Sequence, residues 1–404
     1  MGTTSSEGIP AAQPKAGVGL WRLSGYFLRL GTIGFGGPAA LVGYMLRDLV
    51  QERKWISEED YKLSLALAQI MPGPLAAQCA MAIGYFTFGV LGSTLVAIAF
   101  ILPSFLMVVA LSVLYVSYGG LWWVQALFYG IGPAVLAIIG VAAYRLARTV
   151  NKKDPLLWSI FAFLAVVTAA AEAELAVFFI LAGLLAMVVR VRRLSARVHA
   201  ILAPLLFAVP ITVPLAQAAP AAAEASMDTL VKIVLFFAKA SAFVFGSGLA
   251  IVPFLHQSVV VDFGWLTEHQ FLDAVAVALI TPGPVVITVA FIGYLVAGMW
   301  GAIAAALGMF VPTYLLTIAP APWFKRYRDN AYLKGFVEGT TAAAAGAIAG
   351  SVYVLTRRSD LTAITVAIAL IALAALWRFK LREPYVVLAA GVAGLIVWPL
   401  MPKG

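Results

Sequence analysis

Apolar residues run along this chain in long uncharged blocks, a pattern of membrane helices and not of barrel strands. Blocks at about 87–116, 122–144, 155–171, 175–189, 198–217, 297–321, 335–356, 361–377 and 384–401 are each long enough to cross a hydrocarbon core of ~30 Å as a helix. Four further apolar segments are interrupted. Residues 24–46 break at Gly34-Phe35-Gly36-Gly37-Pro38, 61–85 at Pro72-Gly73-Pro74, 233–255 at Gly246-Ser247-Gly248 and 271–294 at Pro282-Gly283-Pro284. The pattern predicts an all-α polytopic membrane protein with about nine full spans plus the four interrupted segments, or thirteen spans if those four also cross.

Composition agrees with the pattern. Of 404 residues, 63% are hydrophobic and 11% charged, and the mean hydropathy of +0.99 lies far above that of a soluble domain. The first residues hold Pro10, Pro14, Lys15 and Arg22 without an apolar core and cleavage site, so a short cytoplasmic tail is expected there and no cleaved signal peptide. Cys79 is the only cysteine, which rules out an internal disulfide and a cysteine metal cluster, and His199, His256 and His269 are scattered. No HExxH, GxSxG, Walker or GxGxxG arrangement points to an enzyme or an ATP-driven pump. Neither a cofactor nor a nucleic-acid partner is expected, because the net charge of +9 is distributed as topology signals.

The interrupted segments repeat. Arg29, Phe35, Gly36, Trp55, Glu58, Ala68, Ile70, Pro72, Gly73 and Pro74 match Lys239, Phe245, Gly246, Trp265, Glu268, Ala278, Ile280, Pro282, Gly283 and Pro284, each pair 210 positions apart. After one deletion the offset becomes 209, pairing Gly84, Tyr85, Gly89, Gly92 and Pro103 with Gly293, Tyr294, Gly298, Gly301 and Pro312. Such duplication is common in secondary transporters. The chain is therefore read as a tail (1–23), a first repeat (24–190), a linker with an inverting transmembrane helix (191–230) and a second, inverted repeat (231–404).

Basic residues gather on the cytoplasmic side of membrane proteins. With the N-terminus inside and the four interrupted segments re-entrant, the basic clusters at 47–62, 145–153, 190–197, 325–334 and 378–382 all fall inside. A spanning arrangement moves Arg47, Arg53, Lys54 and Lys62 outside; that loop also carries five acids, so charge favours re-entry without deciding it. Either way the second half is upside down relative to the first. The loop at 255–270 has no Lys or Arg where 47–62 has four, and the uncharged turn 117–120 corresponds to the basic stretch 325–334.

A Pro-Gly-Pro triplet within a membrane segment removes backbone donors and leaves polar backbone that lipid cannot satisfy, so the four breaks are expected to cluster around a polar interior. A helix restarting after each break, with Pro38 or Pro74 in its first turn, offers free amides and the positive end of its dipole to an anion. Four such starts facing one cavity suit a small tetrahedral dianion. The candidate binding residues are Arg29, Gly34, Gly36, Gly37, Pro38, Gln69, Pro72, Gly73, Pro74, Lys239, Gly246, Ser247, Gly248, Pro282, Gly283 and Pro284. Arg29 and Lys239 read equally as cations snorkelling to headgroups. Glu338 and Asp273 are proton-coupling candidates; an i,i+4 pair with Lys334 and a place at a polar helix start explain them as well. Gln78 and Thr288 offer neutral hydrogen bonds, and Trp122, Trp123, Trp323 and Trp398 suit interface anchors.

The strings Phe27-Leu-Arg-Leu-Gly31, Gly34-Phe-Gly-Gly-Pro38, the Trp55 loop and Ala68-Gln-Ile-Met-Pro-Gly-Pro74 with Gly84-Tyr85 resemble the signature of the chromate ion transporter family, and 278–284 resembles its second-domain copy. The resemblance covers roughly 24–145 and 233–350. It implies a bacterial inner-membrane protein of the long two-domain form that exports chromate and confers resistance. The expected partners are chromate or a sulfate-like oxyanion and membrane lipid, with a homodimer left open. Gly246-Ser247-Gly248 departs from Gly36-Gly37-Pro38 of the first copy.

Overall fold

A computed structural model describes residues 18–171, 176–192, 226–242, 244, 248–327, 330–359 and 362–400. Among them every regular element is helical. The expected inverting helix at 198–217, with Gly246 and Ser247, lies outside the described residues.

The first repeat opens with two helical hairpins. Helices α1 (Leu20–Ile33) and α2 (Gly37–Met45) are separated by the first break. The Tyr26 hydroxyl, midway along α1, donates to Asp48 just beyond α2, at 3.2 Å. The chain has therefore turned back on itself, and a 14-residue helix of ~21 Å falls short of a full crossing. Helix α3 (Glu58–Ile70) starts under a Ser57 cap and ends at the second break, after which α4 (Leu75–Tyr118) begins. Leu63, Leu67 and Ile70 share one apolar cluster with Ala82, Tyr85 and Phe86, so α3 and the start of α4 also run antiparallel. Both segments are hairpins, the shape required by the re-entrant arrangement that charge favours.

At Phe88-Gly89 the backbone of α4 leaves helical geometry and turns a corner, with Gly89 at φ 68°. The corner is tight because Gly84 and Gly92 meet backbone to backbone, where a Cβ on either would overlap the other's carbonyl. The remaining arm is the first full-length crossing. Helices α5 (Trp122–Asn151), α6 (Pro155–Ala171) and α7 (Ala176–Arg192) follow.

The second repeat copies this order with α8 (Met227–Ser241), a 3-10 turn, α9 (Val252–His256), α10 (Glu268–Ile280), α11 (Thr288–Ile318), the short α12 (Ala321–Tyr327), α13 (Ala331–Arg358), α14 (Ala363–Trp377) and α15 (Glu383–Val397). Its corner falls at Ala297-Gly298, 209 positions after the first. In the first hairpin the Arg53 guanidinium lies over the rings of Tyr26 and Trp55, at 5.3 and 4.7 Å. At the matching places Phe236 meets Phe263 and Trp265, at 5.4 and 5.8 Å. One hairpin base is thus closed by a cation on aromatic rings and the other by aromatic rings alone, which lets the second loop lose its positive charge without losing its packing.

Equivalent helices run in opposite directions. Thr94, early in the crossing arm of α4, is hydrogen bonded to Tyr314, late in α11, at 2.6 Å. The end of α5, at Arg145 and Lys152, shares a cavity with the start of α13, at Lys334. The centre is held by small residues. Gly339, Gly346 and Gly350 of α13 lie against backbone carbonyls of Ala182, Phe161 and Ala165, and Gly130 of α5 against that of Ala390 in α15. In lipid, where apolar burial gives little drive, such close backbone approach is the chief source of helix cohesion.

Candidate functional site

The hairpin tips meet. The Gly283 amide donates to the Gly34 carbonyl at 2.9 Å, and the Gly73 amide donates to the Val244 carbonyl at 2.7 Å. Val244 stands 210 positions after Gly34, and Gly283 stands 210 after Gly73, so the two bonds are one contact made twice about a pseudo-twofold axis. The approach is close at Gly283: its φ is 97°, and a Cβ there would overlap Ser104 Oγ. Ser104 itself donates to the Gly31 carbonyl at 3.2 Å. Gln78, fully buried, donates to the Pro72 carbonyl at 2.8 Å, and its Oε1 has no partner among the described residues.

Five helix starts in the loops are capped by side chains of Ser57, Ser226, Thr267, Asn330 and Thr362, while those at Gly19, Leu121 and Arg382 are not. No start at the described tips is capped by a side chain. The N-caps Gly36, Pro74 and Pro284 provide no side-chain bond, so the first-turn amides there remain available to something else. Pro38 lies in the first turn of α2 as expected, whereas Pro74 is the N-cap itself, because helical geometry begins only at Leu75. The second-repeat starts are 3-10 turns, at Gly248–Ile251 and Val285–Ile287, and so differ from those of the first.

A cavity of about 750 Å³ reaches the tips from one face of the molecule. Its inner wall carries Gly36, Gly37, Pro38, Gln69, Leu75, Thr281, Gly283 and Val285, and its outer wall Arg145, Lys152, Lys334, Glu338 and Glu383. At ~30 Å³ per water, the space holds a small oxyanion with on the order of twenty waters. Arg145 reaches Glu383 at 3.4 Å and the Leu376 carbonyl at 3.2 Å. Glu338 is ion-paired with Arg190 of α7. With that pair made, the wall's cations outnumber its anions, and an apolar-walled cleft of one sign focuses potential on a counter-ion.

Of the predicted binding residues, Gly36, Gly37, Pro38, Gln69 and Gly283 line this cavity. Gly34, Pro72, Gly73 and Pro74 sit at the tips behind it, as do the buried Pro282 and Pro284. Gly248 packs against Val285 and Val286. Arg29 and Lys239 are exposed on the outside of α1 and α8, away from the cavity wall. Glu338 stands at the cavity; Asp273 does not. Thr288 bonds back to the Val285 carbonyl. Trp122, Trp123 and Trp323 are exposed, but Trp398, expected as an anchor, packs on Tyr129 at 5.4 Å inside a second cavity. Arg145 and Lys152 stand in the sequence only as topology signals and Lys334 as an expected partner of Glu338, which is ion-paired with Arg190; what marks all three is position at the ends of two matched helices.

The second cavity, of about 840 Å³, opens on the opposite face between α5, α10, α13 and α14. Its residues Gln125, Phe128, Tyr129 and Gly132 correspond to Lys334, Val337, Glu338 and Thr341 of the first at the 209 offset. It is the inverted counterpart of the first cavity, with Lys334 and Glu338 replaced by the neutral Gln125 and Tyr129 and with Asp273 and His269 in its wall.

The chromate transporter family model matches residues 21–189 and 231–395. A probable chromate transport protein of Synechococcus elongatus is 51% identical over 389 residues, covering 94% of this chain and 96% of its own. The chromate transport protein of Cupriavidus metallidurans is 52% identical over 377 residues, 93% and 92% of the two chains, and that of Pseudomonas aeruginosa 32% over 386 residues, 92% and 91%. No solved structure matches. With both hairpin-bearing repeats inside the matched regions, this chain is a multi-pass membrane protein of the chromate transporter family.

Proposed function

We propose that this protein exports chromate across the bacterial inner membrane as a secondary active transporter, binding the dianion where the hairpin tips of the two repeats meet. The observation that carries the reading is the cavity that ends on three helix starts without a side-chain cap, beneath a wall in which Arg145, Lys152 and Lys334 outnumber Glu338 and Glu383. Amides of the uncapped first turns offer partial positive charge and donors with no competing side chain, and they can follow a tetrahedral oxyanion closely. The basic face is the cytoplasmic one by the distribution of Lys and Arg, so the cavity as it stands receives substrate from the cytoplasm. Relatives named for chromate transport across nearly the whole chain support the substrate.

Amide donors read charge and shape, which sulfate shares, so sulfate is the competing substrate. Everted vesicles from cells expressing the protein, supplied with radiolabelled chromate, are expected to accumulate it when energised, with sulfate competing weakly. Accumulation of sulfate with chromate as the weak competitor reassigns the substrate. Current that follows the electrochemical gradient with no uphill accumulation makes the protein a channel and ends the proposal.

A further inference from the structure

The opposite-face cavity is the counterpart of the substrate cavity, yet it stops short of the tips: among the described residues its wall contains Asp273 and Tyr115 but neither Gly283 nor Thr281. Asp273 is 8% exposed. It accepts a hydrogen bond from the Tyr115 hydroxyl at 2.7 Å. No ion pair is found for it among the described residues. A carboxylate placed there with one neutral donor and no cation is costly, and a proton removes most of that cost. In the first repeat the same position is Leu63, so the acid is not needed to build the hairpin.

The other titratable groups around it are accounted for. Tyr129 of α5 and His269 of α10 share its cavity, and Tyr294 lies on the arm of α11 that packs back along α10. The cluster of His256, Glu268 and Arg358 closes on itself at the start of α10, at 2.6 and 3.0 Å. On α15 the titratable residues Glu383 and Tyr385 belong to the other end, where Glu383 lines the substrate cavity. Helix α10 runs from Asp273 to Ile280, just before the tip bond at Gly283, and nothing breaks it between.

We propose that Asp273 is the proton-carrying gate of the cycle: it binds a proton from the opposite-face cavity, and its bond with Tyr115 holds α10 against α4 so that this cavity stays cut off from the tips. The proton is lost to the face of the substrate cavity, the step that carries it across. The buried carboxylate left behind is relieved by opening toward the water of the opposite-face cavity, which moves α10 and with it the Gly283 end of the anion site. Proton and oxyanion are thereby linked through one rigid element at opposite faces, the arrangement an antiporter requires.

This rests on the transport reading above, and its test separates the two. Full-length protein in proteoliposomes is assayed for chromate exchange at equal pH on both sides, for chromate accumulation driven by a pH gradient and for proton flux driven by chromate. Asp273→Asn keeps the shape and can still accept from Tyr115, so it is expected to retain exchange while gradient-driven accumulation and proton flux fall to the leak of empty vesicles. Independently of chromate, dicyclohexylcarbodiimide, which modifies protonated carboxyls in apolar surroundings, is expected to label Asp273, less as pH rises and faster in Tyr115→Phe. Chromate-driven proton flux intact in Asp273→Asn overturns the proposal, as does loss of exchange together with coupling, which would make the residue structural. Absence of label at Asp273 in both wild type and Tyr115→Phe overturns it too. If wild type carries no chromate but labelling follows pH as stated, the transport reading falls and the protonated gate stands.

Discussion

Replacing Gly283 by alanine places a methyl group where the two repeats touch. At φ 97° an L-residue is strained by about 1–2 kcal/mol. The new Cβ overlaps Ser104 Oγ, which can rotate away only by giving up its bond to the Gly31 carbonyl, a loss of about 1 kcal/mol. Ser104 Cβ at 3.0 Å remains too near, and the residual crowding adds about 1 kcal/mol. The sum, about 3–4 kcal/mol, is relieved if the tip withdraws from Gly34, and the first helix start then no longer faces the third. If chromate needs the assembled tips, binding should weaken by up to ~10²- to 10³-fold, at 1.4 kcal/mol per tenfold. Ser104→Ala in the same chain removes the worst overlap and should recover about fivefold. Gly37→Ala is the control, because at φ 72° it meets nothing within 4 Å and bears the backbone term alone. Equilibrium binding of radiolabelled chromate to purified protein measures all four. The reasoning is refuted if Gly283→Ala binds within about twofold of wild type, or if Gly37→Ala is the more damaging.

Three further outcomes follow from the same geometry. Single cysteines at Ser57 and Ser258, each in the loop between the paired hairpins of its repeat, should react with an impermeant maleimide from opposite sides of the membrane; labelling from one side removes the inversion. Gly130→Val drives α5 off α15, and the purified protein should lose about 1–3 kcal/mol, seen as a lower melting temperature; Gly25→Ala, with open space around its Cβ, should not, and equal melting of the two would refute the close crossing. Lys152→Ala removes a cation from the substrate cavity and should raise the KM for chromate by about threefold to tenfold, more at low salt, whereas an unchanged KM at every ionic strength would show that the wall does not steer the anion.

The hairpin tips were legible because their residues are chemically unusual for a membrane: prolines without an N–H and glycines at positive φ cannot be part of a continuous apolar helix. Which tips touch was not legible. Gly34 finds Gly283 and Gly73 finds Val244 only because the second copy is turned over, and no local pattern encodes a contact between residues so far apart. The cations of the cavity wall were hidden for a different reason. Helices α5 and α13 are apolar nearly all round, so periodicity cannot say which side of their ends faces inward. Depth within an apolar run drew notice to Arg29 and Lys239, but depth carries no direction, and their helices turn them to the outside.

Duplication supplies two copies of one backbone device, and the substitutions between copies give each face its own task. Lys334 and Glu338 at the substrate cavity stand where the opposite cavity has Gln125 and Tyr129, and Asp273 stands where the first repeat has Leu63. Were both copies identical in charge, the two cavities would attract the anion equally and the scaffold would have no built-in sense of direction. With the cations on one face and the buried acid behind the other, the transport cycle proposed above would take a dianion from one side and a proton from the other. In that cycle the symmetric part of the molecule would supply the movement, and the asymmetric side chains would decide what travels each way.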